Sequence, residues 1–351
     1  MADREYRGLM HRNNADLEAW LAKRPPEKAI EPDLPIIDPH HHLWDAPHRG
    51  RYFLPELLAD TGGGHNIVST VFLECQAMFR ASGPEEMKPV GEVEFVNGTA
   101  ALSASGQYGK TRVCEAIIGW VDLMLGSRAR AVLEAEIAVA GGRFRGVRYG
   151  TSYDEGVAGK FVSRVMPQHR LLDPKFREGF AELGKLGLTF DSWHFHPQLP
   201  DLVDLARAFP GTTIIVDHVG GHLGVGQYAG KQAETIPAWK KSMQELAKCP
   251  NVNVKLGGLG MTSFGFDFHF RDAPPSSQEL AQTWRPYIET CIELFGPDRC
   301  MFESNFPPDK QSCGYTELWN AIKHITSGAS TAEKTALYSG TAARVYAMIK
   351  P

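Results

Sequence analysis

From Leu34 onward, short apolar runs rich in Val and Ile alternate along the chain with stretches of helical periodicity. Eight such runs stand out, at 34–38, 67–74, 112–120, 144–149, 186–192, 212–217, 251–256 and 299–304. Most are continuously apolar rather than alternating, the pattern of parallel strands buried on both faces. Helix starts between them carry chemical signals. Asp173-Pro174 joins a capping carboxylate to a proline suited to the first turn. After Pro200, Leu202, Leu205, Ala206 and Phe209 share one helical face. The stretches beginning at Ser276 and Ser330 match the capping box, with Glu279 and Glu333 three residues on. Strand–helix alternation repeated eight times predicts an α/β fold, a distorted (β/α)8 TIM barrel with long βα loops. A doubly wound open sheet is the alternative, because a strand count does not specify closure.

Residues 1–33 read differently, as a polar N-terminal helical arm and linker. A short capped helix is expected over 14–21, followed by the Pro25-Pro26 linker. Residues 34–351 then form the barrel as one domain. Three connections are long: 76–109, the Gly- and His-rich 219–232, and 257–275, which carries Met261, Phe264, Phe266, Phe268 and Phe270. In a barrel each leaves the C-terminal end of a strand, where active sites sit. The aromatic loop reads either as a lid over an apolar substrate or as packing onto the rim.

Composition narrows the classes. The chain has 351 residues, 43% hydrophobic and 22% charged, with a formal net charge of −4. That balance lacks the basic footprint of a nucleic-acid binder. No stretch is apolar enough to span a bilayer, and the first residues lack a signal-peptide core. Six scattered cysteines without a CxxC pair point to reduced, buried thiols. The expectation is a cytoplasmic enzyme acting on a small molecule, without nucleic-acid or membrane partners, whose arm offers a means of homo-oligomerisation.

Candidate chemistry gathers at strand ends. Ile37-Asp38-Pro39-His40-His41-His42 follows the first run. Alternate strand residues point the same way, so His40 and His42 project together while His41 faces elsewhere. Two imidazoles so spaced suit one divalent metal, zinc first, with further ligands from other strands. His194 and His196 close the fifth run and His218 the sixth. Glu303 ends the eighth, as a metal ligand or the base that deprotonates water. Arg148 ends the fourth and reads as a catalytic or substrate-binding group, polarising a carbonyl or holding a carboxylate, or else as a rim salt bridge. Trp44, Tyr52, Trp193, His194 and Phe264 are the expected substrate-binding wall.

The stretches IDPHHHLWD, FDSWHFHPQLPDLVDLARAFP, IIVDHVGG, NVNVKLGGL and RCMFESNFP resemble the amidohydrolase superfamily, in its amidohydrolase-related branch of lactonases and zinc decarboxylases. The likeness runs over nearly the whole chain from Leu34. It implies an HxH at His40 and His42, a ligand at His196 with His194 as fallback, and a histidine at His218. It also implies an Asp where this chain has Asn305, which cannot serve as a base and ligates metal poorly. Glu303, two residues earlier, is the expected replacement; otherwise a histidine moves the proton and no metal is needed. The activity implied is hydrolytic opening of a lactone or related carbonyl ester, of apolar or aromatic character. The alternatives are amide or ester hydrolysis, decarboxylation of an aromatic acid on the same barrel, and a binding protein impaired by Asn305.

Overall fold

The structure, a computed structural model, describes residues 12–46, 49–156, 161–162 and 166–351. In chain order the strands are β1 (Pro35–His41), the hairpin β2 (Trp44–Ala46) and β3 (Gly50–Tyr52), β4 (Asn66–Leu73), β5 (Arg112–Gly119), β6 (Phe144–Gly150), β7 (Thr189–Trp193), β8 (Ile214–Val216), β9 (Val252–Leu256) and β10 (Cys300–Phe302). Apart from the hairpin, neighbours pair in parallel in the order β1-β4-β5-β6-β7-β8-β9-β10. All eight apolar runs hold a strand. Closure is made just past β10: the Asn305 N–H donates to the His40 carbonyl (3.0 Å) and the His42 N–H to the Phe306 carbonyl (2.9 Å). These bonds join the last strand's end to the first, so the sheet is a barrel.

Period-two alternation sorts the side chains. Ile36, Phe72, Ile117, Ile214 and Phe302 pack outward against the helices. Ile37, Val71, Leu73, Ala116, Ile118, Ile215 and Met301 point inward. Ala342, Ala343, Tyr346 and Met348 of the C-terminal segment join this inner cluster and plug the barrel. Two residues beyond inward Ile215 and Met301 stand Asp217 and Glu303, so the same parity lifts an apolar floor into a charged upper layer.

Helix caps follow the sequence signals. Asn13 caps Asn14–Leu21, Asp173 caps Pro174–Lys185, and capping boxes start Ser277–Phe295 and Thr331–Thr335. The first eleven residues of the arm lie outside the described residues; the rest straps the barrel, with Trp20 Nε1 donating to the Arg271 carbonyl (2.8 Å). The connection 76–109 proves to hold a long helix, Val90–Ala104. Gly91 and Gly98 dilute its pattern, and a Cβ at Gly91 would meet the Met78 carbonyl oxygen at 2.6 Å, a close approach that requires glycine. The aromatic loop packs rather than covers. Buried Phe264 stacks on Phe266, and both lie against Tyr287 of Ser277–Phe295. All six cysteines are free and buried, and no helix among the described residues is long and apolar enough to cross a membrane.

Candidate active site

β1 delivers His40 and His42 to the barrel interior, their ring centroids 5.0 Å apart. His41 turns outward, against Thr70 (2.8 Å). After β8 the chain enters a tight turn with His218 at a positive φ of 53°, and after β10 Glu303 faces it. His218 Nδ1 lies 2.6 Å from Glu303 Oε1, and His40 Nδ1 lies 2.7 Å from Glu303 Oε2. Ligand atoms of His40, His218 and Glu303 all fall within 4.8 Å of one another. The contact with a carboxylate oxygen fits a His218 ring that carries its proton on Nδ1. At His40 a cationic donor faces each ring nitrogen, Lys255 Nζ at Nδ1 and Arg148 Nη1 at Nε2, both at 3.3 Å. His42 Nδ1 donates to the Leu73 carbonyl (2.9 Å), which fixes Nε2 as its lone-pair nitrogen.

Beneath these rings lies a network that sequence reasoning missed. Fully buried Lys255 of β9 reaches Asp191 (2.6 Å), Asp217 (3.2 Å) and His40 Nδ1 (3.3 Å). Tyr346, from the C-terminal plug, donates to Asp191 as well (2.6 Å). The available signal was a charged residue at an inward position of an apolar strand, as in NVNVKL and IIVD. Arg148 is neutralised by Glu74 through its Nε at 2.9 Å.

Burial governs the charges. It pushes the Glu303 carboxyl up to about 8 against the pull of Lys255, raises Asp217, and brings His218 down to about 3. His40 and His42 are held well below the ordinary imidazole value, again mainly by burial. The imidazoles are therefore neutral, Glu303 holds its proton at neutral pH, and Asp191 and Asp217 face one ammonium. Glu303 Oε2 and both Asp217 oxygens lack a hydrogen bond in spite of their short ionic contacts. A buried carboxyl with one oxygen left without a hydrogen bond, beside two neutral imidazoles, is a donor set that fits a divalent cation, which would take the place of the Glu303 proton.

Above this layer opens a cavity of about 730 Å³, mouth included, bordered by His42, Trp44, Arg148, Trp193, His218 and Asn305 among the expected residues. Glu303 and His40 are wholly buried behind this lining and do not border it. Asn305 adopts a left-handed backbone (φ 52°) and donates through Nδ2 to Asp309 (2.7 Å). Four expectations need correction. His196 lies away from the His40–His218–Glu303 group: its Nδ1 accepts from the Leu223 N–H (3.1 Å) and its ring meets His222 and Tyr228. His194 does not border the cavity and pairs with Ser192 (3.0 Å). Tyr52 is buried and donates to Asp60 (2.7 Å). Phe264 is sequestered in the rim, where Met261 alone of the five apolar residues singled out in that loop borders the cavity.

Comparison with known proteins agrees with this fold. An amidohydrolase family model matches residues 37–348. An uncharacterized protein of Sinorhizobium fredii, y4mH, is 30% identical over 90% of this chain and 99% of its own. An L-fucono-1,5-lactonase of Burkholderia multivorans is 25% identical over 90% of this chain and 97% of its own. A zinc-bound amidohydrolase structure from Burkholderia multivorans, 23% identical, superposes with a TM-score of 0.67 over 90% of this chain and 99% of that one. With a closed barrel, a match over most of its length and relatives spanning the whole chain, the protein is a member of the amidohydrolase family.

Proposed function

We propose that the protein is a lactonase-like hydrolase, in which His218 activates water and Glu303 holds His218 in place. The carrying observation is the 2.6 Å contact between His218 Nδ1 and Glu303, which leaves Nε2 as the lone-pair nitrogen at the cavity. A base must reach the proton it takes, and its partner must fix its tautomer. Glu303 is buried behind the cavity lining, so its role is orientation rather than direct removal of water's proton. Water adds to the lactone carbonyl as Nε2 accepts its proton. Arg148 faces the oxyanion that forms, and protonated His218 then gives its proton to the departing ring oxygen, yielding a hydroxy acid. His40, Glu303 and His218, with His42 beside them, are the residues that would hold a divalent ion such as zinc, whose Lewis acidity acidifies water and polarises a carbonyl.

Trp44, Trp120, Trp193, Phe161, Met166 and Met261 border the cavity and favour an apolar or aromatic substrate. The L-fucono-1,5-lactonase likeness supports lactone opening as the reaction class. The test is a panel of aromatic and sugar lactones, followed by acid release and product mass. Gain of one water by an aromatic lactone supports the reading. Loss of carbon dioxide from an aromatic acid, with no lactone opened, refutes it in favour of decarboxylation.

A further inference from the structure

Among the carboxylates and guanidinium groups that border the cavity, Glu74 and Arg148 neutralise one another. Arg49, at the tip of the β2–β3 hairpin, is left over. It has no carboxylate partner among the described residues. Its Nη1 donates to the Cys75 carbonyl (2.8 Å), and its guanidinium lies over the Trp44 ring, 5.2 Å from the centroid. Its Nε is buried without an acceptor. A guanidinium cannot shed its proton, and a buried donor left unpaired is costly, so the group is completed by an incoming acceptor.

The hairpin fixes where that acceptor sits. Trp44 stacks on His42 at 5.6 Å, and His42 in turn meets the edge of His40 at 5.0 Å. Arg49 thus stands two ring contacts from the imidazoles, across the flat face of Trp44. The planar fork of an arginine matches a carboxylate in geometry as well as charge. We propose that Arg49 is an anion-recognising subsite, and that the substrate is a lactone bearing a carboxylate, its carboxylate at Arg49 and its carbonyl at His218. This rests on the hydrolase reading for the reacting end only. It also moves carboxylate recognition from Arg148, whose charge Glu74 already answers, to a residue without a carboxylate partner among the described residues.

The experiment is a tryptophan-fluorescence titration of the full-length protein with benzoate and with neutral, near-isosteric benzamide. Wild type is expected to bind benzoate about tenfold or more tightly than benzamide, the scale of a charge-assisted hydrogen bond. Arg49→Gln should bring benzoate to the benzamide level while benzamide binding is unchanged, which also reports an intact cavity. Arg49→Lys should keep part of the preference. No preference in wild type, weak binding of both included, or a preference that survives Arg49→Gln, overturns the proposal. The titration needs no turnover, so its failure leaves the hydrolytic reading standing, and absence of lactone opening leaves the subsite standing.

Discussion

Two sets of histidines leave strand ends at the same mouth of the barrel, and their fates differ. His40, His42 and His218 converge over Glu303, with ring centroids of His40 and His218 4.5 Å apart. His194, His196 and His222 settle among Ser192, Tyr228, Thr235 and Tyr287, with Nε2 of His222 on Thr235 at 2.9 Å and Nδ1 facing the Tyr287 hydroxyl at 3.0 Å. Burial depresses both sets, bringing His196 and His218 alike down to about 3. What separates them is that His40 and His218 share Glu303 and that His42 and His218 border the cavity, not titration. A histidine at a strand end becomes chemical when an acidic group fixes one nitrogen and solvent reaches the other.

The largest expected effect comes from testing the two sets against each other. His218→Asn should lower lactone turnover by about 10²- to 10⁴-fold, the usual contribution of a positioned base. His196→Asn, which exchanges one acceptor for the Leu223 N–H, should leave turnover within about twofold while costing about 1 kcal/mol of stability in urea denaturation. Equal loss in both variants would erase the distinction. Glu303→Gln follows, with a fall of about 10- to 100-fold expected from loss of the orienting partner. Full turnover across pH in that variant, with His218→Asn dead, would remove Glu303 from the account.

Beneath the site, Lys255→Met strips the one ammonium from between Asp191 and Asp217. Breaking a buried pair from one side costs about 3–5 kcal/mol, measurable by chemical denaturation. Pairing it with Asp191→Asn should recover part of that loss, since the two residues share one interaction.

The smallest effect is a pH slope. Glu136 is wholly buried, neither oxygen has a hydrogen bond, and burial raises its carboxyl well above the ordinary value. A raised folded value means the native state binds the extra proton, so the contribution is complete below the unfolded carboxylate value near 4.5 and fades as pH rises through the folded one. Glu136→Gln, neutral throughout, should flatten the decline in melting temperature between about pH 5 and 8. An unchanged slope would assign that decline elsewhere.

Much of this was legible in the chain. Continuous apolar runs located every barrel strand, and strand parity aimed His40 and His42 inward with His41 outward. Parity stops where strands stop. β7 ends at Trp193, which borders the cavity, and the chain then folds into the turn His196–Gln198, so counting forward to His196 carries no direction. Arg49 was hidden for a similar reason: it lies in the turn between two three-residue strands, which have too little pattern to read. Lys255 and Asp191 were hidden by their apolar neighbours, which announce a strand and mask the charge inside it. Closure itself rests on backbone bonds around Asn305 and Phe306, which no side-chain pattern encodes.

The claim on which the rest depends is that Glu303 acts through His218. A double-mutant cycle on lactone turnover with Glu303→Gln, His218→Asn and the two combined tests it directly. Residues that work as a unit are strongly non-additive. The expected result is a double variant no slower than His218→Asn alone, and fully multiplied losses would contradict the account.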